Sequence, residues 1–432
     1  MLSPKTLLPL LIGGAAGLGG ILQGLHWRSM ALSSGIADLE TQLRLATEEN
    51  EMLKRENASL RSLAQGGGEV AVPREAIDLA EKEMGLQFLS SPVVHRIASE
   101  ELRDRIAAAI ESRFGPSGID DRQEAYQLIG WIGPDDNLLA QLTLVRAVGA
   151  VGWFDDVTGE AWLTERFIAD DIPDQAALLR LLCRILLHQH FPPPTAYPGD
   201  DASRAREALH HGAAAGAEAR FHAASARALG FMPMRENADV EQIFNSLPTF
   251  IQGLTIFPSI EGKGLADTLH VKDDEALHAA LRNPPQTTRA IMLPAAAHIP
   301  KPLEMPTPAE DPYLSESAGQ LGLRLWLERL GDAGEAIEIA SSWQNDRYQL
   351  LPDGEADSAV VWDIELESAE MTDRLQAAAL AGISAMAGAD EAPAEGTILT
   401  SPGRRHLALR RISPTRLRFI HSATRALAES YF

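Results

Sequence analysis

The sequence predicts an α+β protein: a mostly helical body with small sheets, preceded by a transmembrane helix and a coiled coil. Three observations predict it. Residues 7–25 are apolar and uncharged. Residues 29–64 carry a 3.5-residue apolar repeat. From Val72 onward, helical periodicities alternate with short strand-like runs.

Composition limits what such a protein can do. The chain has 432 residues, 45% apolar and 23% charged. These values exclude a disordered chain, a collagen and a polytopic membrane protein. The formal charge of −22 makes it a poor nucleic-acid binder, because phosphate contacts need clustered cations. Cys183 is the single cysteine, so neither an internal disulfide nor a cysteine-rich zinc site can form.

The membrane helix is expected at residues 7–25, a run of 19 residues without charge, enough to span ~30 Å of hydrocarbon. A cleaved signal peptide is the alternative, with Ser29-Met30-Ala31 as its processing site. Gly13 with Gly17, and Ala16 with Gly20 and Gly24, form small-residue rows that let two such helices approach. An uncleaved anchor preceded by Lys5 places the body outside the cytoplasm, although Arg28 and Arg44 weigh against that orientation.

The coiled coil has Ile36, Leu43, Asn50, Asn57 and Ala64 at a, and Leu32, Leu39, Ala46, Leu53 and Leu60 at d. Asparagine at a favours two parallel strands in one register. Glu49 would face Lys54 of a partner, and Glu56 would face Arg61, both attractive in a parallel homodimer. A single amphipathic helix on a domain surface is the alternative. Gly66-Gly67-Gly68 ends the repeat and opens a linker over 66–73. Segments 74–300 and 301–432 then form the body and a C-terminal α+β unit packed on it.

In the body, helices are expected over 74–86, 98–114, 136–150, 173–190, 200–229, 236–256 and 263–283. A strand is expected at 93–97, and Gly152–Leu163 reads as a hairpin around an Asp-x-x-Gly turn. A proline-rich linker or strap covers 294–312. Helix 316–330, strands near 346–352 and 358–365, helix 368–386, strands near 405–411 and 415–421, and a short helix follow.

The helix pair at 173–229 carries a resemblance. It reads L-L-R-L-L-C-R-I-L-L-H-Q-H-F, a proline-rich loop, then D-D-A-S-R-A-R-E-A-L-H-H-G-A-A-A. This resembles a family of bacterial zinc metallopeptidases of the zincin type, whose helices read roughly H-E-L-T-H-A-L-Q-D-Q-H-F and E-G-D-A. The hairpin at 152–163 is similar to that family's G-Y-Y-D-P-x-T-G strand pair. Leu247-Pro248-Thr249-Phe250 with Phe257-Pro258 and Gly262 resembles its P-F-x-x-G region. Pro284–Ile291 and Ser342–Tyr348 resemble its P-x-S-T-E-Q-I and G-W-G-G-D-R segments. The likeness spans about residues 74–430 and implies a zincin-like body.

The resemblance also implies where zinc chemistry would sit, and there the chain departs from it. The two histidine ligands match Arg180 and Arg184, and the general base matches Leu181. The third ligand matches His211, and the acid after its glycine matches Ala213. A guanidinium offers a metal no lone pair, and leucine takes no proton. The resemblance therefore implies a pseudopeptidase without zinc that binds a peptide or protein partner. Two alternatives stay open. One is an active metallohydrolase whose zinc is held by relocated His188, His190, His210 and His211. The other is a purely structural envelope protein.

Remaining features have ordinary readings. Arg180 and Arg184 are expected to pair internally with Glu207 or Glu218, with a carboxylate from a peptide as the alternative. Cys183 is expected as a small core residue, and Gly262-Lys263-Gly264 as a turn. Trp343, Asp346, Arg347 and Tyr348 are expected to brace the C-terminal unit, and Arg324 to pair with Glu328 on a solvated face. Residues 400–432 hold seven arginines and one glutamate, expected as an Arg-lined sheet facing the acidic remainder.

Overall fold

The computed structural model describes residues 68–115, 118–230, 238–308, 310–387, 396–401 and 403–431. The expected membrane helix and the coiled-coil positions Leu39, Leu43, Asn50, Leu53, Asn57 and Leu60 lie outside these residues. Among the described residues, no helix is long and apolar enough to cross a membrane.

The body is α+β, as expected. Its first half is α1 (Arg74–Met84), β1 (Val94–Ile97), α2 (Ser99–Phe114), α3 (Gly118–Ile129), α4 (Leu138–Ala147), β2 (Gly152–Phe154) and β3 (Ala161–Thr164). The strands form a sheet of order β1-β3-β2, with β1 parallel and β2 antiparallel to β3. The β2–β3 hairpin is the expected one, closed by Gly159 N–H donating to the Asp155 carbonyl.

The long pair follows as α5 (Ile172–His190) and α6 (Asp200–Leu229). Pro173 suits the first turn of α5, and Phe191 with its following prolines stops it. Helix α5 is buried all round from Leu181 to Leu187, as its nearly continuous apolar run demands. Helix α6 is held by packing of its small residues rather than by a strong apolar stripe. Ala205, Ala208, Ala213, Ala214 and Ala217 are buried along it.

Helices α7 (Ala238–Ser246) and α8 (Thr249–Phe257) were expected as one helix and are broken at Leu247-Pro248. A π-helical turn at Pro258–Gly262 leads into α9 (Lys263–Lys272), then α10 (Asp274–Arg282). These last two also replace a single expected helix, because Asp273 leaves the helical path and caps α10 through the Ala276 N–H. Gly262-Lys263-Gly264 is therefore continuous helical chain, not a turn. The reason is a backbone crossing: a Cβ on Gly212 would lie 2.2 Å from the Gly262 carbonyl carbon, so α6 and the π turn touch main chain to main chain.

After α11 (Thr288–Met292) a strap without helix or strand runs over 297–308. Its Lys301 carbonyl accepts from Asn345, and its Glu304 carbonyl accepts from Arg416. Then come β4 (Leu314–Glu316), α12 (Gly319–Leu330), α13 (Ala333–Ser341), β5 (Trp343–Pro352), β6 (Ser358–Leu366), α14 (Ala369–Ala387), β7 (Leu399–Thr400), β8 (His406–Ser413), β9 (Arg416–Ser422) and α15 (Arg425–Ser430). The six strands form one antiparallel sheet of order β4-β5-β6-β9-β8-β7. Central β6 is buried along almost its whole length, because both sheet faces are covered. One face carries Leu351, Val361, Ala408 and Ile420 beneath α15 and Met305 of the strap. On the other, Val360, Trp362, Leu409 and Phe419 join a single core that runs from Ala80 through the helical half. Residues 67–432 form one compact unit.

A buried polar brace ties the two halves. Asp346 accepts hydrogen bonds from the Ser317 hydroxyl, the Ala318 and Gly319 N–H groups, and the indoles of Trp343 and Trp362. Asp200, at the start of α6, accepts from Tyr126, Tyr197 and Tyr348 and pairs with Arg122 and Arg204. Tyr348 thus braces the C-terminal unit against α6 as expected, whereas Asp346 with Trp343 bonds within that unit and Arg347 bonds to Ser315 at its edge.

Arginines of β8 and β9 meet acids as expected: Arg416 and Arg418 hold buried Asp363, and Arg411 pairs with Asp373. Arg324 pairs with Glu328, but its side chain is only 12% exposed and also reaches Glu261. That face is packed against the π turn rather than solvated.

Candidate functional site

A cavity of about 550 Å³ opens between α2, α4, the β2–β3 hairpin, α5, α6 and the π turn. Arg180 and Arg184 of α5 and His211 of α6 all line it. Those are the positions that the resemblance matches to zinc ligands, and the fold brings all of them to one wall. Helical spacing places Arg180 and Arg184 on the same face of α5. Close packing of α6 against α5 brings His211 opposite them.

Leu181 also lines the cavity and packs under Gly152 of β2, so the matched base position is filled by a hydrocarbon. Ala213 is buried on α6 and contributes only packing.

Asp156, at the tip of the hairpin, binds the wall together. Its carboxylate pairs with Arg184 through one oxygen, and its other oxygen lies 3.3 Å from His211 Nε2. Its neighbour Asp155 is occupied closing the turn, accepting from the Val157 N–H and the Thr158 hydroxyl. Arg184 is nearly buried and lies 4.9 Å above the Phe154 ring, a second cation-binding contact.

Burial alone would raise the Asp156 carboxyl. Arg184 beside it and the hydrogen bond from His211 instead hold it well below the usual carboxylate range. His211 is pushed down to about 4, first by burial and then by Arg184, against the opposing pull of Asp156. The ring is therefore neutral at pH 7 and donates its Nε2–H to Asp156, the tautomer this contact requires.

Arg180 pairs with Glu218 at 3.4 Å, one of the two partners expected. Arg184 takes neither expected glutamate, because Glu207 is occupied by Arg113 and Asp156 lies closer.

The histidines do not converge. His190 Nε2 lies 2.8 Å from the Gln87 carbonyl, and His188 packs edge-on to Phe154 beside Gly159. His210 is buried, and burial followed by Arg206 pushes its ring well below the ordinary histidine value. Among the described residues, no three His, Cys, Asp or Glu side chains are grouped to hold a metal ion. The residues at the matched ligand positions do not fit zinc either. Arg184 puts a fixed positive charge, already paired with Asp156, where a dication would need an electron pair. Cys183 is fully buried in the core, and burial pushes its thiol up, away from nucleophilic use.

Asp156, Arg113 and Arg146 also line the cavity, and nothing local in the sequence marks them as site residues. Asp156 is the aspartate of the Asp-x-x-Gly pattern, but Asp155 makes the turn contacts and leaves Asp156 to Arg184.

Compared with known proteins, the chain matches no family model, no curated protein and no solved structure.

Proposed function

We propose that this protein is a catalytically silent, zincin-like metallopeptidase relative that binds a peptide segment in the cavity beside α5. The observation that carries the proposal is the joint placement of Arg180, Leu181, Arg184 and His211 on one cavity wall, with Asp156 holding the last two. The resembling strand-pair motif has proline where Asp156 stands. The countercharge for Arg184 thus sits at a second position that departs from the motif, which supports a rebuilt site rather than a damaged one.

A peptide is the favoured ligand because β2 is an edge strand of its sheet and lines the cavity. Its outward backbone groups can take an extended chain as an added strand. Residues 7–25 anchor the protein to a membrane with the body extracytoplasmic, and residues 29–64 pair two chains in parallel. Nucleic acid is not a partner, given the acidic composition.

Elemental analysis of purified full-length protein is expected to find far less than one zinc per chain. No peptide cleavage is expected in the presence of added zinc. Stoichiometric zinc that is lost on His211→Ala would sink the proposal. Sedimentation separately tests the dimer: deletion of residues 29–64 is expected to give a monomer.

A further inference from the structure

We infer that Arg146 anchors a carboxylate of the bound peptide, making it the residue that selects ligands for this cavity. The inference rests on the peptide-binding reading above and adds the chemistry of the ligand.

Pairing of the wall charges leaves one cation over. Arg184 holds Asp156, Arg113 holds Glu207, and Arg180 holds Glu218. Arg122 is met by both Asp200 and Glu316, Arg204 by Asp200, and Asp155 is occupied by its own turn. Arg146, in the last turn of α4, lines the same cavity and makes no hydrogen bond or ion pair among the described residues.

Water reaches the Arg146 side chain, but the surroundings crowd it. The guanidinium groups of Arg113 and Arg184 line the same cavity, so like charges face it. An anion bound between these guanidinium groups would relieve that repulsion. A guanidinium fork matches a carboxylate in two parallel hydrogen bonds. One guanidinium without an ion pair matches one carboxylate, whereas a phosphate monoester would bring a second negative charge with no free partner.

The remaining wall supplies the rest of the recognition. Leu142, Val145, Trp153 and Phe257 give it apolar surface. The volume of about 550 Å³ suits a few residues of chain rather than a folded domain. The ligand is thus a peptide whose carboxylate lies beside apolar side chains. That carboxylate is either the C-terminus or an Asp or Glu side chain.

The test uses immobilised full-length protein and an equimolar tetrapeptide mixture, offered once with free C-terminal carboxylates and once C-terminally amidated. Retained peptides are identified by mass. The wild type is expected to retain the free-acid set at least tenfold better than amidated peptides lacking Asp and Glu. Arg146→Gln is expected to abolish that preference without changing the melting temperature, since Arg146 holds no partner in the fold. Arg146→Lys is expected to restore part of it.

Retention of amidated peptides rich in Asp or Glu, lost in Arg146→Gln, would assign the carboxylate to a side chain. Equal retention of acids and carboxylate-free amides overturns the inference. So does retention unchanged in Arg146→Gln, or no retention at all. Recovery of cleaved peptides would instead overturn the silent-peptidase reading, and the Arg146 comparison would still be read on the intact peptides.

Discussion

The brace around Asp200 and Asp346 and the wall around Arg184 use the same materials: carboxylates, arginines and aromatic rings. They differ in saturation. Asp346 accepts five hydrogen bonds and is sealed from water, and Asp200 is met by three tyrosines and two arginines. Asp156 has two partners and a side chain that stays 30% exposed, and the same wall carries Arg146, unpaired among the described residues. A buried polar network whose members are all satisfied rigidifies the fold. One left partly open at a cavity keeps charge available for a ligand. The first network is closed off as structure, whereas the second leaves charge open to a cavity.

Substitutions can break or sharpen that contrast. The largest effect is expected for Asp346→Ala, which strands four buried donors and the half-buried Ser317 hydroxyl. It should cost about 3–5 kcal/mol or prevent folding, read from urea unfolding midpoints. A loss below ~1 kcal/mol would show that the brace is dispensable.

Asp156→Ala leaves nearly buried Arg184 without its acid, but the open side of the pair lets water compensate. A cost of about 1–2 kcal/mol is expected, clearly below that of Asp346→Ala. NMR titration should also find the His211 ring still lower than in the wild type, because Asp156 favours its charged form.

Asp201 tests the brace through pH. Burial raises its carboxyl to about 7, helped by Asp346, despite hydrogen bonds from Thr288. A raised folded value means stability is fully present below the unfolded value near 4. It is lost as pH climbs toward 7. Asp201→Asn should therefore flatten the stability profile between pH 4 and 7. Asp156 has the opposite sign: its contribution is present above about pH 4 and fades in acid.

Arg180→Gln is expected to be the mildest change, about 0–1 kcal/mol, since its 3.4 Å pair with Glu218 is partly open to water. A cost as large as that of Asp156→Ala would mean that the whole wall is structural, and the contrast would fail.

Much of the fold was legible in the chain. The hairpin at 152–163, helices α5 and α6 and strands β8 and β9 announce themselves through local periodicity, proline and turn chemistry. Helix α3 did not, because Arg122, buried through its bonds to Asp200, interrupts the apolar face formed by Ile119, Ala125, Tyr126 and Ile129. The split at Asp273 was missed because a side-chain cap looks like any polar helical residue. Within the site, the alignment of Arg180, Arg184 and His211 on one wall followed from helix geometry and the resemblance. The partner of Arg184 did not, since Asp156 comes from a hairpin 28 residues away.

By itself the sequence determined the order of elements and the residue types at the matched ligand positions, because both are local properties of the chain. Arginine and leucine cannot do the work of histidine and glutamate in any fold. Tertiary structure alone decided which acid neutralises which arginine, that Arg146 is left over, and that the C-terminal sheet shares one core with the helices. Those outcomes depend on distances set by packing between remote segments, and no spacing along the chain encodes them.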